Sequence, residues 1–158
     1  IDPKKLIQDK SKIGGFASLD RFTGYLNALD EFNIEYDSNL ITVVGWDYEG
    51  GKMAAADILG KTQEFDSFIT TSDTMASGLM ETLKVHGYNI PYDVAVVGWD
   101  NSELANFTEP HLTSVEQPSE MMGRAASQSI IKLLKGEAVV DVVFDVAISP
   151  KGSTALKR

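Results

Sequence analysis

The residues best able to do chemistry lie in a short string that occurs twice. Val-Val-Gly-Trp-Asp stands at 43–47 and again at 96–100, each time closing an apolar run that reads as a β-strand. In that string glycine lets the chain turn sharply, the indole offers a flat apolar face, and the carboxylate accepts two hydrogen bonds. Together Trp46, Asp47, Trp99 and Asp100 suit a polyhydroxylated or heterocyclic small molecule, held by stacking and through its own hydroxyl or N–H donors. The alternative is that two strands simply end alike, each Trp closing an edge of the core. No longer repeat surrounds the copies, so no duplicated unit is implied. Ser72-Asp73 follows a third apolar run and reads first as a helix cap, which still leaves the hydroxyl able to meet a ligand. Arg21 falls in the first turn of a predicted helix, where the dipole disfavours a cation. It is either a solvated charge or a fork turned toward a ligand's oxygens.

Arrangements for catalysis fail by comparison. The two histidines, His86 and His111, have no carboxylate or second histidine at a ligand spacing and read as surface residues. Cysteine is absent, which removes thiol catalysis and thiolate metal sites. Gly60-Lys61-Thr62 looks like the end of a phosphate-binding loop, but Ala55 stands where that loop needs its first glycine. No metal, cofactor or catalytic set is expected.

Short apolar strands are expected around Lys12–Phe16 and at Leu40–Val44, Phe65–Thr70, Val94–Val97, Leu112–Val115 and Val139–Ile148, several of them near-continuous β-branched runs. Helices alternate with them. One starts at an N-cap Ser18 and buries Phe22, Leu26, Leu29 and Phe32. A second opens at Glu49 or Gly50, turns Met53, Ala54, Ile58 and Leu59 inward, and is ended by Gly60. A third is capped by Ser72, carries Met75, Leu79, Leu83 and Val85, and closes at Gly87. A short helical stretch covers Ser102–Asn106. A long helix from Ser119 to Lys135, opened by Pro118 and ended by Gly136, has Met122, Ala126, Ile130, Leu133 and Leu134 on one face. Pro150–Arg158 reads as an exposed tail. This alternation is that of an α/β fold, a doubly wound parallel sheet covered on both faces. Right-handed crossovers bring the strand C-termini to one rim, where such sheets bind ligands.

Composition sets the outer limits. The chain has 158 residues, 43% hydrophobic and 23% charged, enough to bury one core without a disulfide or metal. Fourteen basic against 23 acidic side chains leave a net charge of −9, which argues against a general nucleic-acid-binding surface. Neither a membrane-length apolar run nor a signal peptide is visible, and a Cys-free chain fits the cytoplasm. Ile1-Asp2-Pro3 is not a natural start, so the chain is expected to be part of a longer one.

The motifs resemble, in order, consecutive blocks of the LacI/GalR family of transcription regulators. They run from Ser18-x-x-Arg21-x-x-Gly24-Tyr25 through Gly45-Trp46-Asp47 and Ser72-Asp73-x-Met75-Ala76-x-Gly78. The strongest is Ile90-Pro91-x-Asp93-Val94-Ala95-Val96-Val97-Gly98-Trp99-Asp100-Asn101, followed by Pro110-x-Leu112-Thr113-Ser114-Val115-x-Gln117-Pro118 and Gly152-Ser153-Thr154-Ala155. The resemblance implies a periplasmic-binding-protein-like type I module, two lobes with a sugar or nucleoside-like effector between them. Residues 1–113 and 137–158 would form the C-terminal lobe, and 114–136 the crossing segment and helix of a mostly absent first lobe. It also implies a homodimer, no membrane, and DNA contact only through a helix-turn-helix headpiece absent from this chain. Arg21 would grip effector oxygens, Asp100 would contact the effector, and Trp46 or Tyr48 would stack on it. Departures are Ser72, where the family usually has Asn, and Trp99, where it has Phe or Tyr. Alternative readings place the same module in the sensor of a signalling protein or in an exported solute-binding protein.

Overall fold

Residues 16–155 are described by a computed structural model. In chain order it contains α1 (Phe16–Glu31), α2 (Tyr48–Lys61), β1 (Ser67–Ile69), α3 (Asp73–Val85), β2 (Ala95–Asp100), β3 (Thr113–Glu116), α4 (Ser119–Leu134) and β4 (Ala147–Ser149), with short 3-10 turns at Ser38–Leu40 and Glu103–Asn106. The sheet order is β1-β2-β3-β4. β1 and β3 pair with β2 in parallel, Phe68 beside Val96 and Gly98 beside Ser114. The expected α/β fold is present, and its parallel sheet carries one antiparallel edge strand, β4 beside β3. Because β1, β2 and β3 point the same way, Thr70, Asp100 and Gln117 follow on one rim.

The core forms where α2 and α3 meet the sheet. Ala55 and Ile58 of α2 and Ala76, Leu79, Met80 and Leu83 of α3 pack against Phe68, Val94, Val96 and Leu112, all buried. The two helices cross at glycines. A Cβ on Gly78 would sit 2.0 Å from the Tyr48 carbonyl oxygen, and one on Gly51 would sit 1.9 Å from that of Met75. Only hydrogen fits at either place, so the backbones touch.

Helix ends follow local chemistry, with revisions. Ser72 Oγ accepts the Met75 N–H and caps α3 as expected. Asp47 caps α2 by accepting the Gly50 N–H, so this helix opens before Glu49. Gly60 does not end α2, which runs through Lys61 to a Thr62 C-cap. Gly87 and Gly136, at φ +87° and +75°, do close α3 and α4. α1 starts at Phe16, which places Ser18 inside the helix instead of at its cap.

Some expected strands and buried faces do not form. Leu40–Val44 is no strand among the described residues, and Val43 is 47% exposed. Its expected neighbour at Lys12–Phe16 lies outside the described residues except for Phe16, which is helical. Of Val139–Ile148 only Ala147–Ser149 pairs. Phe32, Met53 and Val85 are exposed instead of inward. The tail is not free either. Ser153 is fully buried, accepts the Thr113 N–H at 2.8 Å and donates to the Val96 carbonyl at 2.6 Å, joining β2 to β3.

Gly78→Ala should therefore cost about 3 kcal/mol, the upper range for overpacking, because backbone and not a flexible side chain is in the way. Gly60→Ala, a helical position with no atom within 4 Å of the added Cβ, should instead stabilise by about 0.5–1 kcal/mol. Urea denaturation of both variants checks the pair of opposite signs.

Candidate functional site

The site grows from the rim where the three parallel strands end. α1 carries Arg21 to it, and there Nη1 donates to the Thr71 carbonyl just after β1, at 2.8 Å. That bond fixes the guanidinium between the two indoles of the repeated string. Its carbon lies 4.3 Å from the Trp99 ring centre and 5.8 Å from that of Trp46, both within cation–π range. Trp46 is 44% exposed, so much of its surface remains accessible.

Asp100 completes the group. Its Oδ1 accepts from Gln117 Nε2 at 2.7 Å, and its charge and that of Arg21 act on each other. Burial pushes the Arg21 guanidinium down from its ordinary value, and Asp100 opposes that shift. The backbone here is unusual. Asp100 and Asn101 have φ of +107° and +49°, a left-handed pair that side chains other than glycine rarely adopt unforced. Asn101 Nδ2 donates to Glu116 at 3.1 Å, and Lys151 Nζ donates to Asn101 Oδ1.

The structure thus brings Arg21, Trp46, Trp99 and Asp100 together, and gives other work to the remaining expected residues. Asp47 Oδ1 is the α2 cap. Ser72 Oγ, besides capping α3, donates to the Trp46 carbonyl at 2.9 Å and so holds the Trp46 loop. Asp73 is 1% exposed, and both its oxygens accept hydrogen bonds from serines. Tyr48 does not join the group around Arg21; it hydrogen-bonds Glu81 of α3, with Lys52 over its ring. His86 and His111 are exposed, as expected.

The two copies of the string also differ in what their glycines do. Neither Gly45 nor Gly98 has a positive φ, so neither place needs a backbone conformation peculiar to glycine. A Cβ on Gly98 would stand 2.4 Å from Asp73 Oδ1, whereas one on Gly45 would make only ordinary contact with Asp47. Gln117 was missed as a site residue. Its signal was positional, being the first residue after β3 on the same rim. Ser18 Oγ and Trp99 Nε1 are buried without a hydrogen-bond partner among the described residues, close in sequence to Arg21 and Asp100 respectively; both residues stood out in the sequence, but not the unmatched polar atoms.

Asp100 feels burial first and the Asp73 charge second, both raising its pKa, against the Gln117 hydrogen bond and the Arg21 charge, which lower it. The net shift is upward, so the folded chain holds that proton more tightly than the unfolded chain. Ionisation therefore costs stability, and the cost is absent below the unfolded value, about 3.9. Asp100→Asn, which keeps an acceptor for Gln117, should raise the melting temperature at pH 7. That gain should shrink as the pH falls toward 4 in a series of calorimetric scans.

Comparison with known proteins places the chain in a family. Residues 15–154 match the family described as periplasmic binding protein-like domain. The chain is 35% identical over 126 residues to the transcriptional regulator CelR of Thermobifida fusca, covering 80% of this chain and 37% of that one. It is 34% identical to the repressor PurR of Vibrio atlanticus, covering 82% and 39%. It superposes on a CelR–cellobiose complex with a TM-score of 0.84 at 33% identity, covering 87% of this chain and 42% of that one. On the regulator CcpA of Lactococcus lactis the TM-score is 0.83, also at 33% identity, over 90% and 53%. The chain spans under two-fifths of the length of these curated relatives. It belongs to the periplasmic binding protein-like domain family, among relatives that are regulators of the LacI/GalR type.

Proposed function

We propose that this chain is most of the C-terminal effector-binding lobe of a LacI/GalR-type transcription regulator, and that it binds a sugar or similar polar small molecule without catalysing a reaction. The observation that carries the reading is the Arg21 guanidinium, set over Trp99 and beside the accessible face of Trp46, with Asp100 on the same rim. An arginine and a carboxylate give donors and acceptors for hydroxyl groups, and an indole gives a flat face for the apolar side of a sugar ring. A regulator of similar sequence and fold has been solved with cellobiose, which supports the sugar class.

The chain's own surface supports the domain division. No residue of α4 is buried, and Ile130, Leu133 and Leu134 are 58%, 62% and 84% exposed. We assign 114–136 to the first lobe and 1–113 with 137–158 to the lobe described here. DNA contact belongs to a separate N-terminal helix-turn-helix domain, since a segment with a charge of −9 repels phosphate. Among the described residues no helix is long and apolar enough to cross a membrane, and we place the protein in the cytoplasm.

A thermal-shift screen of sugars and nucleosides on the full-length protein identifies the effector class. Against the best hit, Asp100→Ala should weaken binding by about 1.5–3 kcal/mol, the range for hydrogen bonds to a charged group. Arg21→Ala should do at least as much, losing both its fork and its contact with the indoles. Unchanged calorimetric affinity in both variants would refute the site.

The same reading expects a two-fold homodimer through the outer faces of α2 and α3, where Met53, Val85 and the neighbouring Phe107 are 62%, 79% and 74% exposed. Met80, on the inner side of α3, is 1% exposed and part of the core. Light scattering of the full-length protein at tens of micromolar should give the dimer mass, and Val85→Asp should reduce it to that of the monomer.

A further inference from the structure

Asp73 opens α3 at the ligand rim, yet it does not face solvent. It is 1% exposed, and its carboxylate is surrounded by donors from two other segments. Oδ2 accepts both the backbone N–H of Ser102 at 2.6 Å and its Oγ–H at 2.9 Å. Oδ1 accepts the Oγ–H of Ser114, on β3, at 2.5 Å. Ser114 Oγ in turn accepts the backbone N–H of Asn101 at 3.0 Å.

These bonds converge on one short stretch. Asp100 and Asn101 are the two left-handed residues, at φ +107° and +49°. The backbone N–H groups of the two residues after Asp100, Asn101 and Ser102, are both held, the second by Asp73 itself and the first by a serine that Asp73 orients. Gly98 leaves the space that Oδ1 occupies. A strained turn persists only where its surroundings over-determine it; here one buried carboxylate and its serines hold the main-chain N–H groups, while Glu116 and Lys151 hold the Asn101 side chain. Gln117 then meets the Asp100 side chain at 2.7 Å.

We infer that Asp73 is a positioning residue: through Ser102 and Ser114 it imposes the left-handed turn that presents Asp100 on the rim beside Arg21. The inference rests on the proposed role of Asp100 in effector binding, but the turn itself can be read without any effector. Trp99 immediately precedes the turn and lies under the Arg21 guanidinium, so its indole reports the local geometry.

The test uses the full-length protein with Trp46→Phe, which makes Trp99 the reporter among the two tryptophans of this chain; any tryptophan elsewhere in the protein is likewise replaced by Phe. Asp73→Asn keeps the volume but places an NH2 group among three donors. It should shift Trp99 emission and raise its quenching by acrylamide about twofold or more, with far-UV circular dichroism unchanged. Ser102→Ala, which keeps the carboxylate and the main-chain bond, should change both in the same direction but less. Should Asp73→Asn fail to fold, Ser102→Ala and Ser114→Ala carry the same reading. Parent-like emission and quenching in the folded variants, with only a lower melting temperature, would overturn the inference and leave Asp73 a purely structural residue. Cellobiose titrated into the tryptophan-intact protein separates the two readings. If it binds, Asp73→Asn should weaken it about tenfold or more, and equal affinity would overturn the inference. If cellobiose does not bind at all, cellobiose is excluded as the effector, while the fluorescence result still decides the role of Asp73.

Discussion

A carboxylate taken out of water must be met by donors, and at Asp73 that requirement organises much of this lobe. An ionised group left unpaired in the interior costs many kcal/mol, so the chain has to deliver Ser102 and Ser114 to a residue that begins a helix elsewhere in the sequence. Meeting that demand fixes how closely β2 approaches the start of α3. It also explains why residue 98 has no side chain, since a Cβ there would collide with Asp73 Oδ1 and with Leu112. The α2–α3 crossing at Gly51 and Gly78 sets the same helix from its other side. Between these two constraints α3 has little freedom to slide, and the rim above it is correspondingly well defined.

The rim is where the chain departs from comfortable geometry. Two consecutive non-glycine residues are left-handed, burial and a neighbouring aspartate raise the pKa of Asp100 from its ordinary value, and an indole N–H is buried without a partner among the described residues. The rest of the described core is apolar and closely packed. Strain, a perturbed carboxylate and an unsatisfied donor gathered on one sheet edge support the proposed site, because such features persist where function is retained against stability. The structure also separates two roles among the rim residues. Ser72 and Asp47 bond the protein's own backbone as caps, whereas Trp46 leaves much of its surface accessible beside Arg21 and Asp100 meets the Gln117 side chain.

How much of this could be read from the sequence depended on whether the cause was local. Helix α3 with its Ser72 cap, the closing glycines Gly87 and Gly136, and the opening of α4 beside Pro118 are set by residues within a turn of the feature, and each was legible. Strand lengths were not. Val139–Ile148 has the residue types of a strand, but only Ala147–Ser149 finds a ladder partner, and pairing is a property of the neighbour. Gly60 looked like a stop signal, yet nothing requires a left-handed residue there and the helix continues. At the candidate site, the repeated Gly-Trp-Asp pointed to two indoles that do lie together. It could not show that they share one arginine, nor that the second glycine serves Asp73, because both facts arise from contacts between distant segments.

The exposed apolar surface has the same logic on a larger scale. In a lobe that buried its own sheet, α4 and the stretch before β4 would contribute to the core, and the amphipathic pattern of α4 was written for burial. Instead Ile130, Leu133 and Leu134 stand open together with Val140 and Val143, which are 79% and 91% exposed, while a separate, complete core exists on the α2–α3 side. Apolar surface of this extent is unfavourable at about 25 cal/mol per Å² and is rare on the outside of a monomeric domain. Its position is informative, because Gln117, which holds Asp100, lies only two residues before α4 begins. A body that covered α4 would therefore pack at the foot of the segment that reaches the Asp100 rim. Movement of that body against this lobe would reach Asp100 through two residues of backbone and one hydrogen bond. No long chain of coupled side chains is needed to connect a ligand at the rim with whatever covers the apolar face.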